Sequence, residues 1–430
     1  MAYQRARGTR DEFPDDLILI DRLERVARDL FRRYGAREIR TPFFEETRLF
    51  VRGLGEGSDV VSKEMFTVER EESSYTFRPE GTAGVVRAYV EKALHKTRPL
   101  QKLYYIGPMF RYEKPQGGRQ RQFTQIGLEV LGSLDPLLDA EAIHLAASFF
   151  DEIGLSGVEA RVNSMGDRED LEAFRGMLRA WAQPQLSARC EDCRMRFEKN
   201  VLRMLDCKVE QCRVLNASAP DILDALTPAS RAHLDTVVSA LRAVGRPVRV
   251  DPGIVRGFDY YTRTVFELHH PDLGARSAVC GGGRYDHLIS ELGGSDLGAV
   301  GFAIGLVPTI VALEKLGKAQ IEIPRELDAF VCVLEGVPRQ HGFVIVDALR
   351  NAGLAADLDH PEGAEGNARS LKAQMKSADR ARARWAVMLG PDEQAASVVS
   401  VRNLESRTEA KVPQQPLATL HERIRGVGAA

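Results

Sequence analysis

Two strand-like runs, KLYYIGPMFRYE and FTQIGLEVLG, lie between about Gln101 and Gly132 with only the polar stretch KPQGGRQRQ between them. Runs of that composition joined by a glycine-containing connection form an antiparallel hairpin with a long tip, so this chain has to build an antiparallel sheet. Strand-like text returns at IVRGFDYYTRTVFEL and SAVCGGGRYDHL, which extends the same sheet after a gap. The gap, from about Met165 to Gly245, is charged and helical in pattern and reads as an insertion over residues 166–243. Ahead of the hairpin, Ile20, Leu23, Val26, Ala27, Leu30 and Phe31 keep the three-and-four spacing of an amphipathic helix that Gly35 stops. REIRTPFFEE then runs extended and is broken by Pro42.

The pattern changes after IEIPREL. AFVCVL is a strand, HGFVIVDALRN a helix closed by Gly353, and AADLD, ARSLKAQMKSADRAR and WAVMLG continue the alternation. Such alternation marks a separate α/β domain, beginning near Asp328. The expected organisation is therefore an α+β domain over 1–325, with an antiparallel sheet flanked by helices, and a second domain over 326–430. A chain of 430 residues is long enough for more than one core.

Composition excludes more than it assigns. With 44% hydrophobic and 28% charged residues the chain is neither disordered nor membrane-spanning in character. MAYQRARGTRDEFPDD carries no readable secretory signal, so the expected compartment is the cytoplasm. A formal net charge of −2 means that any contact with nucleic acid has to be local.

Four motifs carry candidate chemistry. FRYEKPQGGRQRQF puts Arg111 and Glu113 on one face of a strand, since alternate residues share a face, with Arg119 and Arg121 in the loop. A planar, permanently charged guanidinium suits a phosphate, and Phe123 could stack on a base; the alternative is an exposed charged hairpin. In RPEGTAG, Glu80 and Thr82 flank Gly81 in a concave corner able to hold an ammonium group, or form a capped turn leading into GVVRAYVEKAL. RGFDYYTRTVFE sets Arg256 beside a tyrosine pair, and the glycines of GGGRYD let backbone approach a ligand closely. No GxxxxGK[ST] is present, so a nucleotide here would not sit in a P-loop.

Taken in order, these motifs resemble the class II aminoacyl-tRNA synthetases and, within them, the histidyl-tRNA synthetase family. The resemblance runs from ARGTRD through YGAREIRTPFFEE, SDVVSKEMF, RPEGTAGVVRAY, MFRYEKPQGGRQRQFTQIGLEVLG and RFEKNVLRMLDCK to RGFDYYTRTVFE, CGGGRYD and RSLKAQMKSADRARARWAVMLG. It implies a class II catalytic core with a helical insertion and a C-terminal anticodon-binding domain, working as a homodimer with Pro42 at the dimer-forming bend. It further implies Arg111 on the α-phosphate of ATP, with Arg256 across from it. Glu113 lies near the adenine amino group, Phe123 stacks on the adenine, and Arg119 and Arg121 reach the outer phosphates or the tRNA end. Histidine recognition falls to Glu80, Thr82, Gln125, Glu129, Arg256, Tyr261 and Tyr285, because a carboxylate and a phenol can read both imidazole nitrogens. The implied reaction activates L-histidine with ATP and Mg²⁺ and transfers it to tRNA(His), with Gln116 at the loop tip a candidate contact for the acceptor end.

One stretch departs from the family. Where its members read approximately GFAxGxER, this chain reads GFAIGLVPT, with Val307 and Pro308 in place of the acid and the arginine and Lys315 the nearest downstream basic residue. The missing arginine packs on the adenine and touches the γ-phosphate, so its loss is expected to weaken ATP binding, whereas proline starts a helix without harm. A rival reading is therefore a catalytically impaired paralogue that senses histidine or tRNA, and a further one is a plain RNA-binding module. Cys190, Cys193, Cys207 and Cys212 have spacing suited to a structural zinc site, or are four unligated thiols, while Cys280 and Cys332 read as small core residues. Arg369, Lys372, Lys376 and Arg380 are expected to line one basic face of a helix, beside Leu371, Met375 and Ala378, that meets tRNA.

Overall fold

The computed structural model describes residues 3–55, 58, 60–113, 120–205, 207–254, 260–320, 325–360, 369–415 and 417–426. Gln116, Arg119 and Arg256 lie outside the described residues. The chain divides into two compact units, Met1–Ile321 and Glu322–Ala430.

In the first unit the opening helix, Pro14–Arg33, has proline and two aspartates in its first turn and Arg32 and Arg33 in its last, both favourable to the helix dipole. It buries Ile20, Leu23, Ala27, Leu30 and Phe31, and Gly35 follows with a positive φ. The strands are β1 (Arg37–Glu38), β2 (Phe44–Glu46), β3 (Phe66–Arg70), β4 (Ser73–Phe77), β5 (Gln101–Phe110), β6 (Gln122–Leu131), β7 (Glu159–Ser164), β8 (Val248–Val250), β9 (Thr262–His269), β10 (Ala278–Arg284) and β11 (Ala299–Gly305). Eight of them form one sheet in the order β1-β5-β6-β11-β10-β9-β7-β8, antiparallel except for the outer pairs β1·β5 and β7·β8. A small antiparallel sheet, β2-β4-β3, stands apart.

Strand alternation sorts the residues of β6 between two environments. Ile126, Leu128 and Val130 join a large core with the helices Pro14–Arg33, Pro136–Glu152, Pro228–Ala243 and Leu306–Lys315. Phe123, Gln125, Gly127 and Glu129 point the other way, towards the helix Thr82–Glu91 and the strand-end tyrosines.

Two sequence expectations change here. β5 ends at Phe110, so Arg111 and Glu113 are not on a strand: Arg111 still pairs with Arg121, but the next amide, Tyr112, bonds Glu64 and draws the chain away from β6. The insertion is also less separate than its text suggests. Leu234, Val237, Val238 and Leu241 of the helix Pro228–Ala243 belong to the main core, and the preceding helical segments share a core with Ile254, Tyr261 and Val265.

A buried ionic knot ties β10 to the helices beneath. Arg284 is fully buried; its Nε bonds both carboxylate oxygens of Asp139 at 3.0 and 3.1 Å, and its Nη1 bonds Asp286 at 2.9 Å. His233 Nε2 meets the same Asp139 at 2.7 Å. Burial pushes the Asp139 carboxyl up, but the bonds from His233 and Arg284 outweigh it and hold the group below its usual range. A lowered carboxyl stabilises above its unfolded pKa, and that contribution is lost as pH falls through the folded value.

The second unit holds β12 (Leu327–Val333), β13 (Ala356–Leu358), β14 (Ala383–Leu389), β15 (Val398–Asn403) and β16 (Glu409–Pro413), ordered β13-β12-β14-β15-β16. The first three are mutually parallel, as the alternating text implies, and the antiparallel pair β15 and β16 extends the sheet. The helix expected to carry a four-residue basic face spans Leu371–Arg380, capped by Ser370. Arg369 precedes that helix and turns inward: its Nε bonds Asp359 at 2.9 Å, and its Nη2 bonds Asp359 and Ser377. Lys372, Lys376 and Arg380 are exposed, whereas Leu371 of the supposed apolar line is exposed too and Gln374 is buried in its place.

Replacing Asp139 by alanine takes one of two carboxylates from a buried arginine, leaves His233 without its partner, and is expected to destabilise the first unit by about 3–5 kcal/mol. Urea unfolding followed by Trp181 fluorescence in a Trp385→Phe background reads that unit alone; a loss under about 1 kcal/mol would mean that the knot contributes little.

Candidate active site

The corner at Arg78–Gly84 is a capped turn leading into a helix, as one of its two sequence readings has it. Gly81 caps the helix Thr82–Glu91, and the Glu80 carboxylate accepts the amides of Thr82 at 2.6 Å and Ala83 at 2.9 Å, so a negative group sits at a helix N-terminus. Glycine is needed at 81 and at 127 because the Tyr105 ring lies against both: a Cβ at either position would fall 2.2 Å from that ring. Behind the corner, Arg78 donates to the carbonyls of Pro108 at 2.8 Å and Thr41 at 3.1 Å, fixing it to the strand and to the bend before Pro42.

Glu129 is the centre of the pocket. Its Oε1 accepts the Thr82 hydroxyl at 2.7 Å and faces the Tyr105 hydroxyl at 3.5 Å, while its Oε2 accepts the Tyr285 hydroxyl. Burial dominates its titration and, with the neighbouring Glu80 adding to it, pushes the carboxyl up to about 8 against the bonds from Tyr285 and Thr82. Burial likewise raises Glu80, opposed by its helix amides and by Arg111. The phenols of Tyr105, Tyr260 and Tyr285 are held well above their usual range, by burial first and then by the carboxylates and neighbouring phenols, so they remain donors at neutral pH. The Tyr260 ring packs between Tyr261, at 4.6 Å, and Tyr285, at 5.5 Å. Gln125 Oε1 is buried and has no hydrogen-bond partner among the described residues.

The basic side of the site is next to this pocket. Arg111 donates from Nε to the Pro79 carbonyl at 2.8 Å, and its guanidinium lies 5.4 Å from the Phe123 ring centre, leaving a cation and an aromatic face together. Arg121 stacks on Tyr112 at 3.9 Å and packs against Gly8, whose positive φ and close approach exclude a side chain. Glu113 is half-buried just beyond Arg111.

Two of the glycines of GGGRYD make room for protein neighbours. A Cβ at Gly282 would strike the Gly301 carbonyl, and one at Gly283 would strike the Tyr261 ring. Pro308 stands in the first turn of the helix Leu306–Lys315, as its chemistry allows, and at the far end of that helix Lys315 Nζ bonds the Leu273 carbonyl at 3.0 Å. Sequence reasoning missed Tyr105 and named Tyr260 only as one of a tyrosine pair. Alternation along β5 and the register Tyr105↔Gly127 were the available signal for the first; nothing in the text separates Tyr260 from Tyr261.

A carboxyl raised on folding stabilises most below its unfolded pKa, and that contribution disappears as pH rises through the folded value, here about 8. The protein without ligand is therefore expected to lose stability from about pH 4.5, the unfolded value, up to about pH 8, and Glu129→Gln to flatten that loss. Urea unfolding at several pH values decides it; parallel curves for the two proteins would mean that Glu129 is already ionised at neutrality.

Comparison with known proteins places the chain in a family. Residues 8–308 match the profile of a family described as histidyl-tRNA synthetase, and residues 339–423 match an anticodon binding domain. The histidine–tRNA ligase of Geobacillus sp. (strain WCH70) is 43% identical over 430 residues, covering 99% of this chain and all of the relative. The crystal structure of apo S. aureus histidyl-tRNA synthetase superposes with a TM-score of 0.80 at 31% identity, covering 99% of this chain and 100% of that one. A Bacillus halodurans structure described as an ATP phosphoribosyltransferase regulatory subunit/histidyl-tRNA synthetase shares the fold, with a TM-score of 0.65 at 20% identity over 90% of this chain and 98% of its own. The chain belongs to the histidyl-tRNA synthetase family, with the class II catalytic fold and a C-terminal anticodon-binding domain.

Proposed function

We propose that the protein activates L-histidine with ATP and transfers it to the 3′ end of tRNA(His). The observation that carries this reading is the closed set Glu80, Thr82, Glu129 and Tyr285 directly beside the Arg111 guanidinium. Glu80 holds the substrate ammonium, Gln125 supplies its unused acceptor, and Glu129 with Tyr261 and Tyr285 reads the imidazole, whose two nitrogens need partners of opposite kind. Arg111, with Arg256 opposite, takes the α-phosphate; Phe123 and Glu113 take the adenine; Arg119 and Arg121 take the outer phosphates.

The histidine carboxylate attacks the α-phosphorus in line, pyrophosphate leaves, and the ribose hydroxyl at the tRNA end then attacks the activated carbonyl, releasing AMP. Arginines fixed before the reaction stabilise the charge that builds on the phosphoryl oxygens without having to reorganise. Mg²⁺ chemistry here is charge neutralisation on the outer phosphates. Glu80 and Glu129 line the amino-acid half of the pocket, so the ion would travel with the nucleotide. A Zn²⁺ at the four clustered cysteines would be structural.

Exposed Phe43, Phe44, Val68 and Tyr75, on and beside the small sheet next to Pro42, form an apolar surface that suits a second copy of the chain and a homodimer. Gln116 would touch the acceptor end, and Lys372 and Lys376, exposed on one helix, the anticodon stem. Arg369 is left out because Asp359 holds it. No described helix is long and apolar enough to cross a membrane, and a cytoplasmic setting with the translation machinery fits the reaction.

Pro308 favours a second reading, a histidine sensor with a disabled nucleotide site. Histidine-dependent ATP–pyrophosphate exchange separates the two. Exchange is expected in the unaltered protein, with kcat/KM for ATP rising by up to about 100-fold in Pro308→Arg. Histidine binding without exchange in either protein would replace ligase by sensor.

A further inference from the structure

We infer that Cys190, Cys193, Cys207 and Cys212 form a tetrathiolate zinc centre that sets the wall of the histidine pocket through Tyr261. The inference rests on the histidine reading for its consequence, though not for the metal itself. The four cysteines come from three segments: Cys190 caps the helix Glu191–Lys199, Cys193 lies in its first turn, Cys207 follows the short turn Val201–Met204, and Cys212 lies on Glu210–Asn216. Their sulfur atoms all lie within 4.8 Å of one another, and Cys190 and Cys207 are 3.7 Å apart. A tetrahedral site with Zn–S bonds of about 2.3 Å has sulfur–sulfur edges of about 3.8 Å, whereas a disulfide needs about 2 Å. No pairing into two disulfides explains four sulfurs that are all mutual neighbours.

The surroundings match a metal centre in two further ways. The Cys190 amide donates to the Cys212 sulfur at 3.3 Å, the kind of outer bond that supports a charged thiolate ligand. The three segments are also pinned independently of the sulfurs: Arg189 bonds Asn216 Oδ1 at 2.7 Å, and Asn216 Nδ2 bonds the Met204 carbonyl at 2.7 Å. Arg189 is itself a buried cation, stacked on Trp181, with two guanidinium nitrogens unpartnered and no carboxylate paired to it among the described residues. Four thiolates around Zn²⁺ carry a net double negative charge, which supplies a counter-charge to the same helical layer.

The consequence for the pocket follows from packing. Cys193, Cys207 and Cys212 share one hydrophobic core with Phe174, Leu178, Ile254, Tyr261 and Val265. Tyr261 in turn packs on Tyr260 and fills the space over Gly283. Removing the metal leaves these short helical segments held only by the Arg189–Asn216 hydrogen bonds, and the packing behind Tyr261 loosens.

The test uses the full-length protein. One zinc per chain is expected by elemental analysis. Titrating the thiols with a mercurial should release it, and cobalt substitution should give the intense absorption of a tetrahedral thiolate site. Cys193→Ser should abolish this absorption and Cys332→Ser should keep it. Stripping the zinc should raise the histidine KM in pyrophosphate exchange by about five- to tenfold, the size of one lost hydrogen bond, with a smaller change in the KM for ATP. Absence of zinc with no uptake of cobalt, or recovery of the four cysteines as two disulfides, would overturn the centre. Zinc that can be removed without moving the histidine KM would overturn the link to Tyr261. Exchange failing in a protein that holds its zinc would count against the ligase reading alone.

Discussion

A carboxyl group with almost no access to water, Glu129, is the point on which the rest of this pocket depends. Burying such a group is costly unless its oxygens are satisfied, so the fold has to bring donors to it from distant parts of the chain. Thr82 comes from the first turn of a helix, Tyr285 from the end of β10 and Tyr105 from β5. Each donor needs its own support: Gly81 and Gly127 make room for Tyr105, the Glu80 carboxylate fixes the turn that carries Thr82, and the knot around Arg284 anchors the residue just before Tyr285. The antiparallel sheet is the frame that lets these requirements be met at one place.

That arrangement also explains why the site has two halves of different character. On one side two carboxylates are buried among phenols and a helix N-terminus, a setting that favours an ammonium and an imidazole. On the other, Arg111 lies over Phe123 where β5 leaves the sheet, a setting that favours a phosphate next to a flat ring. The join between them is short, because Arg111 is bonded to Pro79, the neighbour of Glu80. A substrate reaching from one half to the other would have its carboxylate where an arginine can stabilise charge on phosphorus. In the helix after β11 the first turn carries Pro308, where the resemblance to the family leads one to expect an arginine.

Much of this was legible in the sequence, for physical reasons that differ by element. The hairpin, the opening helix and the parallel start of the second unit follow from periodicity, because their hydrophobic faces repeat without interruption. Alternation along β6 places Phe123, Gln125 and Glu129 on one face, and the structure puts all three on the side of Thr82 and Arg111. What the text hid depends on contacts distant in sequence. The exit of Arg111 from β5 follows the bond of the next amide to Glu64, the inward turn of Arg369 follows Asp359, and Gly282 and Gly283 make room for aromatic and backbone neighbours. The insertion looked separate because its first part is polar and cysteine-rich, yet its last helix supplies Leu234 and Val238 to the main core.

The most direct measurement of the central interaction is a double-mutant cycle on Glu129→Gln and Tyr285→Phe, read by calorimetric binding of L-histidine. If the two groups act as one unit in recognising the imidazole, the double variant will bind scarcely worse than the more damaged single variant, with a coupling energy of about 1–3 kcal/mol. Losses that simply add would contradict this, and would mean that Glu129 and Tyr285 touch the ligand independently or not at all.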